Sequence, residues 1–272
     1  QVNKYFQLQR PFRCRIQPVL WPRLRQSEGL VRGDFPQPGA KARAGRRERP
    51  GARRRAPGAV PKRLLDIVAA GVGLCVFFPL LALLALLVLV TDGPPLLYRE
   101  RRVGRHGRLF RLYKFRTLRP GIAGGRSVAP EDDPRITPVG LWLRRWRLDE
   151  FPQLVNVLFG QMSLVGPRPM PRAHADRLPA CERDIILSVR PGLTDAAALH
   201  FLAEDEVLAG TRDPEALYLS CLLPAKARMQ VDSLMHWSPG ADLVILGRTV
   251  ASVWSPHARE KSVRALRSLL EA

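Results

Sequence analysis

The sequence predicts a mainly α-helical fold with a small β-hairpin (α+β), in which a re-entrant membrane helix-break-helix packs on a compact cytosolic domain. Three observations predict it. Residues 67 to 90 contain no charge over 24 positions, which is long enough to cross a bilayer as a helix. Pro79 lies near the middle of that run, where a missing donor and a steric clash favour a bend. Beyond residue 138, helical patterns dominate.

The first 60 residues form a basic extension rich in Arg, Pro and Gly. They contain 15 Lys/Arg against 3 Asp/Glu, which is +12 of the chain's formal +20. Because residues 33 to 61 have little hydrophobic periodicity, we expect disorder there. Nucleic-acid binding, attraction to anionic lipid and an inert tail all fit the charge. The extension lacks the interleaved aromatic residues of single-strand binders, so no nucleic-acid partner is expected.

Residues 61 to 98 are predicted to form the membrane hairpin. Lys62 and Arg63 precede the uncharged run, and residues 99 to 119 carry nine Lys/Arg against one Glu. By the positive-inside rule both flanks are cytoplasmic, which a re-entrant hairpin satisfies and a single span does not. We expect Lys62, Arg63 and Asp66 to fix the ends of the hairpin rather than to act chemically. The alternative is the buried core helix of a soluble protein.

Residues 99 to 255 are predicted to form the cytosolic catalytic domain. Residues 105 to 116 alternate polar and apolar side chains, which indicates a short strand or hairpin arm. Residues 119 to 134 are rich in Gly, Pro and Asp and predict a loop that moves over the site. Helices are expected around residues 139–147, 152–159, 172–188, 203–210, 213–235 and 240–253.

The C-terminal residues 256 to 272 predict an amphipathic helix that rests on the membrane or on the domain. The four cysteines are far apart and show no metal or redox spacing, and the histidines are scattered. A reduced protein that faces the cytoplasm, with no zinc site, fits best. The chain begins with Gln1 rather than Met, which indicates a fragment, a processed product or a wrongly assigned start.

Two adjacent carboxylates, Asp149 and Glu150, lie among arginines just before Pro152. Proline is best tolerated in the first turn of a helix, so the pair is predicted to precede a helix. An anionic phosphoryl group or a Mg²⁺-phosphate would be accommodated there by Arg144, Arg145, Arg147 or Arg168. The alternative is that the two carboxylates only cap the helix.

The rest of the sequence around the pair resembles the bacterial sugar transferase family, which contains monotopic polyprenyl-phosphate phosphoglycosyl transferases that initiate glycan assembly. The resemblance covers about residues 61 to 252. Its motifs run in order through Lys62-Arg63-Leu64-Leu65-Asp66, Gly93-Pro94, Arg102-Val103-Gly104-Arg105, Lys114-Phe115-Arg116-Thr117, Asp133-Pro134-Arg135-Ile136-Thr137, Leu148 to Gln153, Met162 to Pro169, Arg190-Pro191-Gly192-Leu193-Thr194 and Leu223-Pro224-Ala225-Lys226.

This resemblance implies that Asp149 attacks the β-phosphorus of a UDP-sugar, that UMP leaves, and that a polyprenyl (undecaprenyl) phosphate then takes the sugar phosphate from the enzyme. It also implies that Glu150 holds Mg²⁺ and that the hairpin breaks at Pro79. The enzyme would lie in the bacterial inner membrane with its catalytic domain on the cytoplasmic side, in exopolysaccharide or lipopolysaccharide biosynthesis.

Several basic residues are candidates for phosphate binding. Arg168 is favoured because Pro167 and Pro169 stiffen the backbone around it, and the alternative is an exposed arginine in a proline turn. The other candidates also have alternatives: Arg144 and Arg145 as a solvated helix face, Lys114 and Arg116 as snorkelling side chains, and Arg190 as a helix C-terminal cation.

Two other classes of function compete with the transferase. One is a non-catalytic, membrane-tethered basic protein that binds nucleic acid or anionic surfaces. The other is a glycosyltransferase that releases UDP without a covalent intermediate. The sequence leaves open which sugar is transferred, which glycan is made and whether the chain forms a homodimer.

Overall fold

The computed structural model describes residues 59–119, 128–209, 211–253 and 255–271. The disorder predicted for residues 1 to 60 therefore falls almost wholly outside the described residues. The same is true of much of the mobile loop predicted for residues 119 to 134.

The first described element is the long apolar helix α1, Ala59–Asp92. It is the one helix among the described residues that is long and apolar enough to cross a membrane, by length and composition alone. Large apolar side chains such as Val76 and Phe78 project from it into the surroundings. Helical structure continues through Pro79, so the helix does not end at this proline. A bend at Pro79, where the backbone lacks one hydrogen-bond donor, stays a prediction.

Both ends of α1 are bound to the rest of the fold. Near its start, Asp66 is buried and accepts hydrogen bonds from Ser163 Oγ at 2.8 Å and from the Leu164 N–H at 3.0 Å. At its end, Asp92 Oδ2 accepts a hydrogen bond from Thr137 Oγ1 at 2.8 Å. Since one folded unit holds both ends, the two ends of the apolar helix face the same body of protein.

A β-hairpin follows α1, as the alternating pattern predicted. Strand β1, Leu97–Val103, pairs antiparallel with β2, Leu109–Phe115, and a short 3₁₀ turn, Arg105–Gly107, joins them. The hairpin begins earlier than predicted, because the arginine-rich segment before residue 105 is itself a strand.

Helix α2, Pro138–Arg145, begins at Thr137, whose side chain accepts a hydrogen bond from the Gly140 N–H at 2.8 Å. Its Leu143 is fully buried against Leu84 and Val88 of α1. After a 3₁₀ turn, Leu148–Glu150, comes the short helix α3, Gln153–Leu158. Leu154 and Val157 of α3 pack with Ala70 of α1. The two helices thereby fix the segment between them against α1.

A second, parallel sheet was not predicted from the sequence. Strand β3, Ser163–Val165, pairs with β4, Gly192–Thr194. The two strands approach so closely that a Cβ at Gly192 would overlap the backbone of Gly166. Glycine is therefore required at Gly192 by space rather than by its backbone angles.

The remaining helices agree in part with the predicted ones. The helix predicted for residues 172–188 is two helices, because Pro179 begins a second one. The segment predicted for 213–235 is helical throughout, with a π turn over Tyr218–Leu222. In chain order the elements are α4 Arg172–Ala175, α5 Ala180–Ile186, α6 Ala196–His200, α7 Glu204–Leu208, α8 Pro214–Leu217, α9 Leu223–Met235, α10 Pro239–Val253 and α11 Pro256–Glu271.

The C-terminal helix α11 packs on the domain, which was one of the two positions expected for it. Leu266 and Leu269 are buried, and they join a cluster with Phe201, Leu208 and Leu222. The apolar stripe of this helix is thus largely covered by α6 to α9.

Candidate active site

Asp149 and Glu150 lie on the 3₁₀ turn between α2 and α3, rather than as caps on a longer helix. Arg147, just before the turn, adopts a left-handed conformation with φ of 55°, which is rare for a residue other than glycine. This conformation turns the chain sharply after α2. As a result Asp149 is 6% exposed and lines a cavity of about 1010 Å³.

Glu150 is held by two cations. Arg168 Nη1 donates a hydrogen bond to Glu150 Oε2 at 2.9 Å, and Arg168 Nη2 pairs with Oε1. Lys114 Nζ lies 3.1 Å from the same Oε1. Burial alone would raise the pKa of Glu150, but the charges of Arg168 and Lys114 outweigh it and hold this pKa well below its ordinary value. Glu150 is therefore an anion fixed in position.

Asp149 has a different environment from its neighbour. Its carboxylate accepts no hydrogen bond from the residues that the structure describes, and it faces the cavity. Burial raises the pKa of Asp149 to about 6, and the charge of Glu150 adds to the rise, while Lys114 and Arg144 oppose it. The adjacent carboxylates thus divide into one fixed by cations and one left available to a ligand.

The donor groups can be compared with the needs of Mg²⁺. No group of three or more His, Cys, Asp or Glu side chains converges within the described part of the chain. Mg²⁺ commonly takes only one or two protein carboxylates, with water and substrate phosphates as its other ligands. Asp149 and Glu150 therefore fit an ion that arrives with a diphosphate, and they do not form a complete site by themselves.

Several of the predicted phosphate ligands surround the two carboxylates. Besides Lys114 and Arg168, the cavity is lined by Arg144 and Arg145 from the last turn of α2. Arg168 is further positioned by a hydrogen bond from Nη1 to the carbonyl oxygen of Leu193 at 3.1 Å. The structure therefore brings together cations from β2, α2 and the segment after β3.

Backbone hydrogen bonds hold the segment Pro167 to Pro169, which carries Arg168. The carbonyl oxygen of Pro167 accepts a hydrogen bond from the Gly192 N–H at 2.9 Å, and Pro169 lines the cavity. The Arg168 N–H donates to Asp195 Oδ2 at 3.1 Å. These contacts hold Arg168 at the point from which its side chain reaches Glu150.

Two predicted phosphate ligands have other roles. Arg116 is buried, and its guanidinium donates to the carbonyl oxygens of Asp92, Gly93 and Pro94, so it closes the C-terminal end of α1. Arg190 Nε donates to the carbonyl oxygen of Gly160 at 2.9 Å, outside the cavity. Both arginines donate to backbone carbonyl groups at the end of a helix or in a turn. These hydrogen bonds account for the positions of the two side chains without a bound phosphate.

Lys62, Arg63 and Asp66, which were expected to fix the ends of the hairpin, all contact the domain at the start of α1. Lys62 pairs with Asp242 of α10, and Arg63 donates to the carbonyl oxygens of Val157 and Leu158 at 2.7 and 3.0 Å. Asp66 makes the contacts with β3 described above. These three side chains dock the start of α1 on the domain.

Apolar residues lie in the wall of the cavity and beside the turn that carries Asp149 and Glu150. Leu141 and Trp142 of α2 line the cavity and are 40% and 45% exposed. Phe77 of α1 makes an edge-on contact with Phe151, whose ring centroid is 5.1 Å away. The residue that follows the turn is therefore in contact with α1.

A second group of polar residues lines the cavity and was not predicted as part of the site. It consists of Glu204 on α7, Tyr218 in the π turn, and Lys226 and Gln230 on α9. Lys226 belongs to the Leu-Pro-Ala-Lys motif, which was the only sequence signal for this group. A further amide, Gln153 at the start of α3, is 2% exposed and lines the cavity, and its Nε2 has no hydrogen-bond partner in the described structure.

Comparison with known proteins places these observations in context. Residues 58–256 match the bacterial sugar transferase family. The UDP-glucose:undecaprenyl-phosphate glucose-1-phosphate transferase of Caulobacter vibrioides is 39% identical over 201 residues, which cover 71% of this chain and 69% of that protein. The exopolysaccharide production protein ExoY of Rhizobium meliloti is 34% identical over 215 residues, covering 72% of this chain and 86% of that protein.

A third relative is longer than this chain. The undecaprenyl-phosphate galactose phosphotransferase of Salmonella typhimurium is 40% identical over 153 residues, which cover 49% of this chain and 31% of that protein. The names of these relatives include both glucose and galactose, so the match alone does not identify a sugar.

Proposed function

The chain belongs to the bacterial sugar transferase family and is a phosphoglycosyl transferase, and we propose that it transfers a sugar-1-phosphate from a UDP-sugar to undecaprenyl phosphate with release of UMP. Two of the relatives named above, those of Caulobacter vibrioides and Salmonella typhimurium, act on undecaprenyl phosphate, which supports this acceptor. The observation that carries the proposal is the division between Asp149, which has no hydrogen-bond donor among the described residues, and Glu150, which two cations hold.

In the first step, an Asp149 carboxylate oxygen attacks the β-phosphorus of the UDP-sugar. The bond from that phosphorus to the oxygen bridging the two phosphates breaks, and UMP leaves with the electron pair. A sugar phosphate remains esterified to Asp149. An available carboxylate suits a nucleophile, because a carboxylate bound by arginine would first have to break those contacts.

In the second step, a phosphate oxygen of undecaprenyl phosphate attacks the same phosphorus. The bond to Asp149 breaks, the carboxylate is regenerated, and undecaprenyl-diphosphate-sugar forms. Phosphoryl transfer depends mainly on positioning and neutralisation of charge, which Arg168, Lys114 and Arg144 supply around the turn.

Glu150 would hold the Mg²⁺ that enters with the diphosphate. Bound Mg²⁺ would neutralise the diphosphate and favour departure of UMP. Glu150 would then exchange part of its contact with Lys114 or Arg168 for this ligand, and the released cation would remain beside the phosphates.

The acceptor would enter from the membrane beside α1. Leu141 and Trp142 in the wall of the cavity offer apolar contact for a polyprenyl chain, and Arg144 and Arg145 in the next turn offer charge to its phosphate. The docking of both ends of α1 on one domain supports a re-entrant arrangement, with the domain on the cytoplasmic face.

The test uses the full chain purified in detergent, with Mg²⁺, undecaprenyl phosphate and a set of UDP-sugars. The proposal expects UMP as the nucleotide product and its loss in Asp149→Asn. Asp176→Asn, which changes an exposed carboxylate that follows α4 and does not line the cavity, is the matched control. Release of UDP would instead indicate a glycosyltransferase, and no nucleotide release would indicate a non-catalytic protein.

A further inference from the structure

The wall of the cavity formed by α9 holds a buried acceptor that the proposed chemistry does not use. Gln230 is 4% exposed, and its Nε2 donates to Asp195 Oδ2 at 2.7 Å. That bond fixes the orientation of the amide group. Its oxygen, Oε1, is buried and has no hydrogen-bond partner within the described structure. An unpaired buried acceptor is unfavourable, so a ligand that donates a hydrogen bond here would be favoured.

A charged pair lies one helical turn away on the same face of α9. Lys226 Nζ donates to Glu204 Oε2 at 2.6 Å, and its ammonium lies 5.3 Å from the ring centroid of Tyr218 and 5.8 Å from that of Phe201. The pair is largely enclosed, yet both residues line the cavity. Glu204 Oε1 receives no hydrogen bond from the described residues. The wall therefore combines two free acceptor oxygens, an ammonium and aromatic faces.

This wall is connected to the catalytic turn by a short chain of contacts. Asp195 Oδ2 accepts hydrogen bonds from both Gln230 and the Arg168 N–H, and the Arg168 side chain binds Glu150. The sugar of a UDP-sugar is attached through one oxygen to the phosphorus that Asp149 attacks. A group held at Asp149 must therefore place its sugar close to this turn.

We propose that Gln230, with the Lys226–Glu204 pair and Tyr218, forms the subsite that binds the hexose of the donor and selects among sugars. Hexose hydroxyls both donate and accept, so they can donate to Gln230 Oε1 and Glu204 while accepting from Lys226. Uracil presents a single N–H between two carbonyl oxygens, and these oxygens would face the carboxylate of Glu204 unfavourably. The ribose hydroxyls of the donor are also present in UMP, so the affinity for UMP separates ribose binding from hexose binding. The inference rests on the proposed function, because it assumes a UDP-sugar in the cavity.

The test measures binding in the Asp149→Asn background with Mg²⁺, so that no turnover occurs. Isothermal titration gives the affinity for UMP, UDP-glucose, UDP-galactose and UDP-N-acetylgalactosamine. Gln230→Leu removes the acceptor. We expect it to lower the affinity for the best UDP-sugar by about 10-fold or more and to keep the affinity for UMP within about 2-fold. Lys226→Met is the second variant and is expected to act in the same direction. Arg228→Met, on the exposed side of α9, is the control and is expected to change neither affinity.

If Gln230→Leu lowers the affinities for UMP and for the UDP-sugar equally, the proposed subsite is wrong. Gln230 would then bind the uridine part of the donor or only support Arg168. Unchanged UDP-sugar affinity in both variants would also overturn it. Failure of the proposed function is recognised separately: the enzyme with an intact Asp149 would then release no UMP in the presence of undecaprenyl phosphate. UMP release together with unchanged sugar binding would reject the subsite alone.

Discussion

The guanidinium of Arg168 binds both carboxylate oxygens of Glu150, although 18 residues separate the two in the chain. Asp149, the residue next to Glu150, receives no such contact from the described residues. The two neighbouring carboxylates therefore have different environments. Glu150 is held by cations, whereas Asp149 faces the cavity. The predictions below follow from this arrangement and from the way the fold holds it.

Replacement of Arg168 is expected to reduce catalysis more than binding of UMP. Arg168→Ala would leave Glu150 buried with Lys114 as its remaining partner and would remove charge from the phosphate site. We expect kcat/KM for UMP release to fall by about 10²–10³-fold. Arg168→Lys keeps the charge but not the two-point contact, so we expect a smaller fall in kcat/KM for this variant. Activity of Arg168→Ala within about 3-fold of wild type would contradict this role.

The raised pKa of Asp149 predicts a pH-dependent stability. Because the pKa of this carboxyl is about 6 in the fold and ordinarily 3.8, its neutral form stabilises the fold below about pH 4. That contribution is lost as pH rises through about 6. Asp149→Asn, which is always neutral, should therefore gain on the order of 1–3 kcal/mol over wild type at pH 8 and little at pH 4.

This pH dependence is measured by thermal melting of both proteins in buffer with EDTA, which removes divalent metal ions. Glu150 has the opposite shift, so its contribution to stability is present above its ordinary pKa and is lost only in strong acid. A constant difference between the melting temperatures of wild type and Asp149→Asn from pH 4 to pH 8 would contradict a pKa of about 6 for Asp149.

Gly192 is predicted to be essential for the second sheet. A methyl group at Gly192 would overlap the backbone of Gly166, so Gly192→Ala must separate β3 from β4 and displace Arg168. We expect a loss of about 2–4 kcal/mol in the free energy of unfolding, together with reduced UMP release. The matched control is Gly240→Ala, where a Cβ would meet nothing within 4 Å. Similar melting temperatures for the two variants would contradict the close approach.

Both ends of α1 are predicted to face the same side of the membrane. Single cysteines at Pro61 and Arg101, which are exposed at either end of the apolar segment, can be introduced after the native cysteines are replaced. A membrane-impermeant maleimide should label both only when the cytoplasmic face of the vesicle is accessible. Labelling of the two positions from opposite faces would show that α1 crosses the membrane.

Some features of this fold depend on residues close together in the chain, and others depend on residues far apart. The hairpin and α2 follow from patterns within a few residues, and structure and expectation agree there. Arg116 and Arg190 were predicted as phosphate ligands because they are basic and lie in motifs. Their partners are carbonyl groups distant in the chain or on a neighbouring turn, which charge patterns do not reveal.

Helix α9 and Pro79 show two other limits of the sequence. Gln230 and Lys226 have ordinary helical spacing, and only tertiary packing shows that their side of α9 faces a cavity. Pro79 was expected to interrupt the helix, and α1 continues to Asp92. A proline can bend a helix without ending it, so the proline in the sequence does not mark the end of α1.

The central claim is that Asp149 becomes covalently attached to the sugar phosphate. Intact-protein mass spectrometry tests it after incubation with Mg²⁺ and the active UDP-sugar, in the absence of undecaprenyl phosphate. The account predicts a mass increase equal to one sugar-1-phosphate less one water, mapped by peptide analysis to Asp149, absent in Asp149→Asn and lost on addition of undecaprenyl phosphate. An adduct that persists in Asp149→Asn, or full UMP release by that variant, would contradict it.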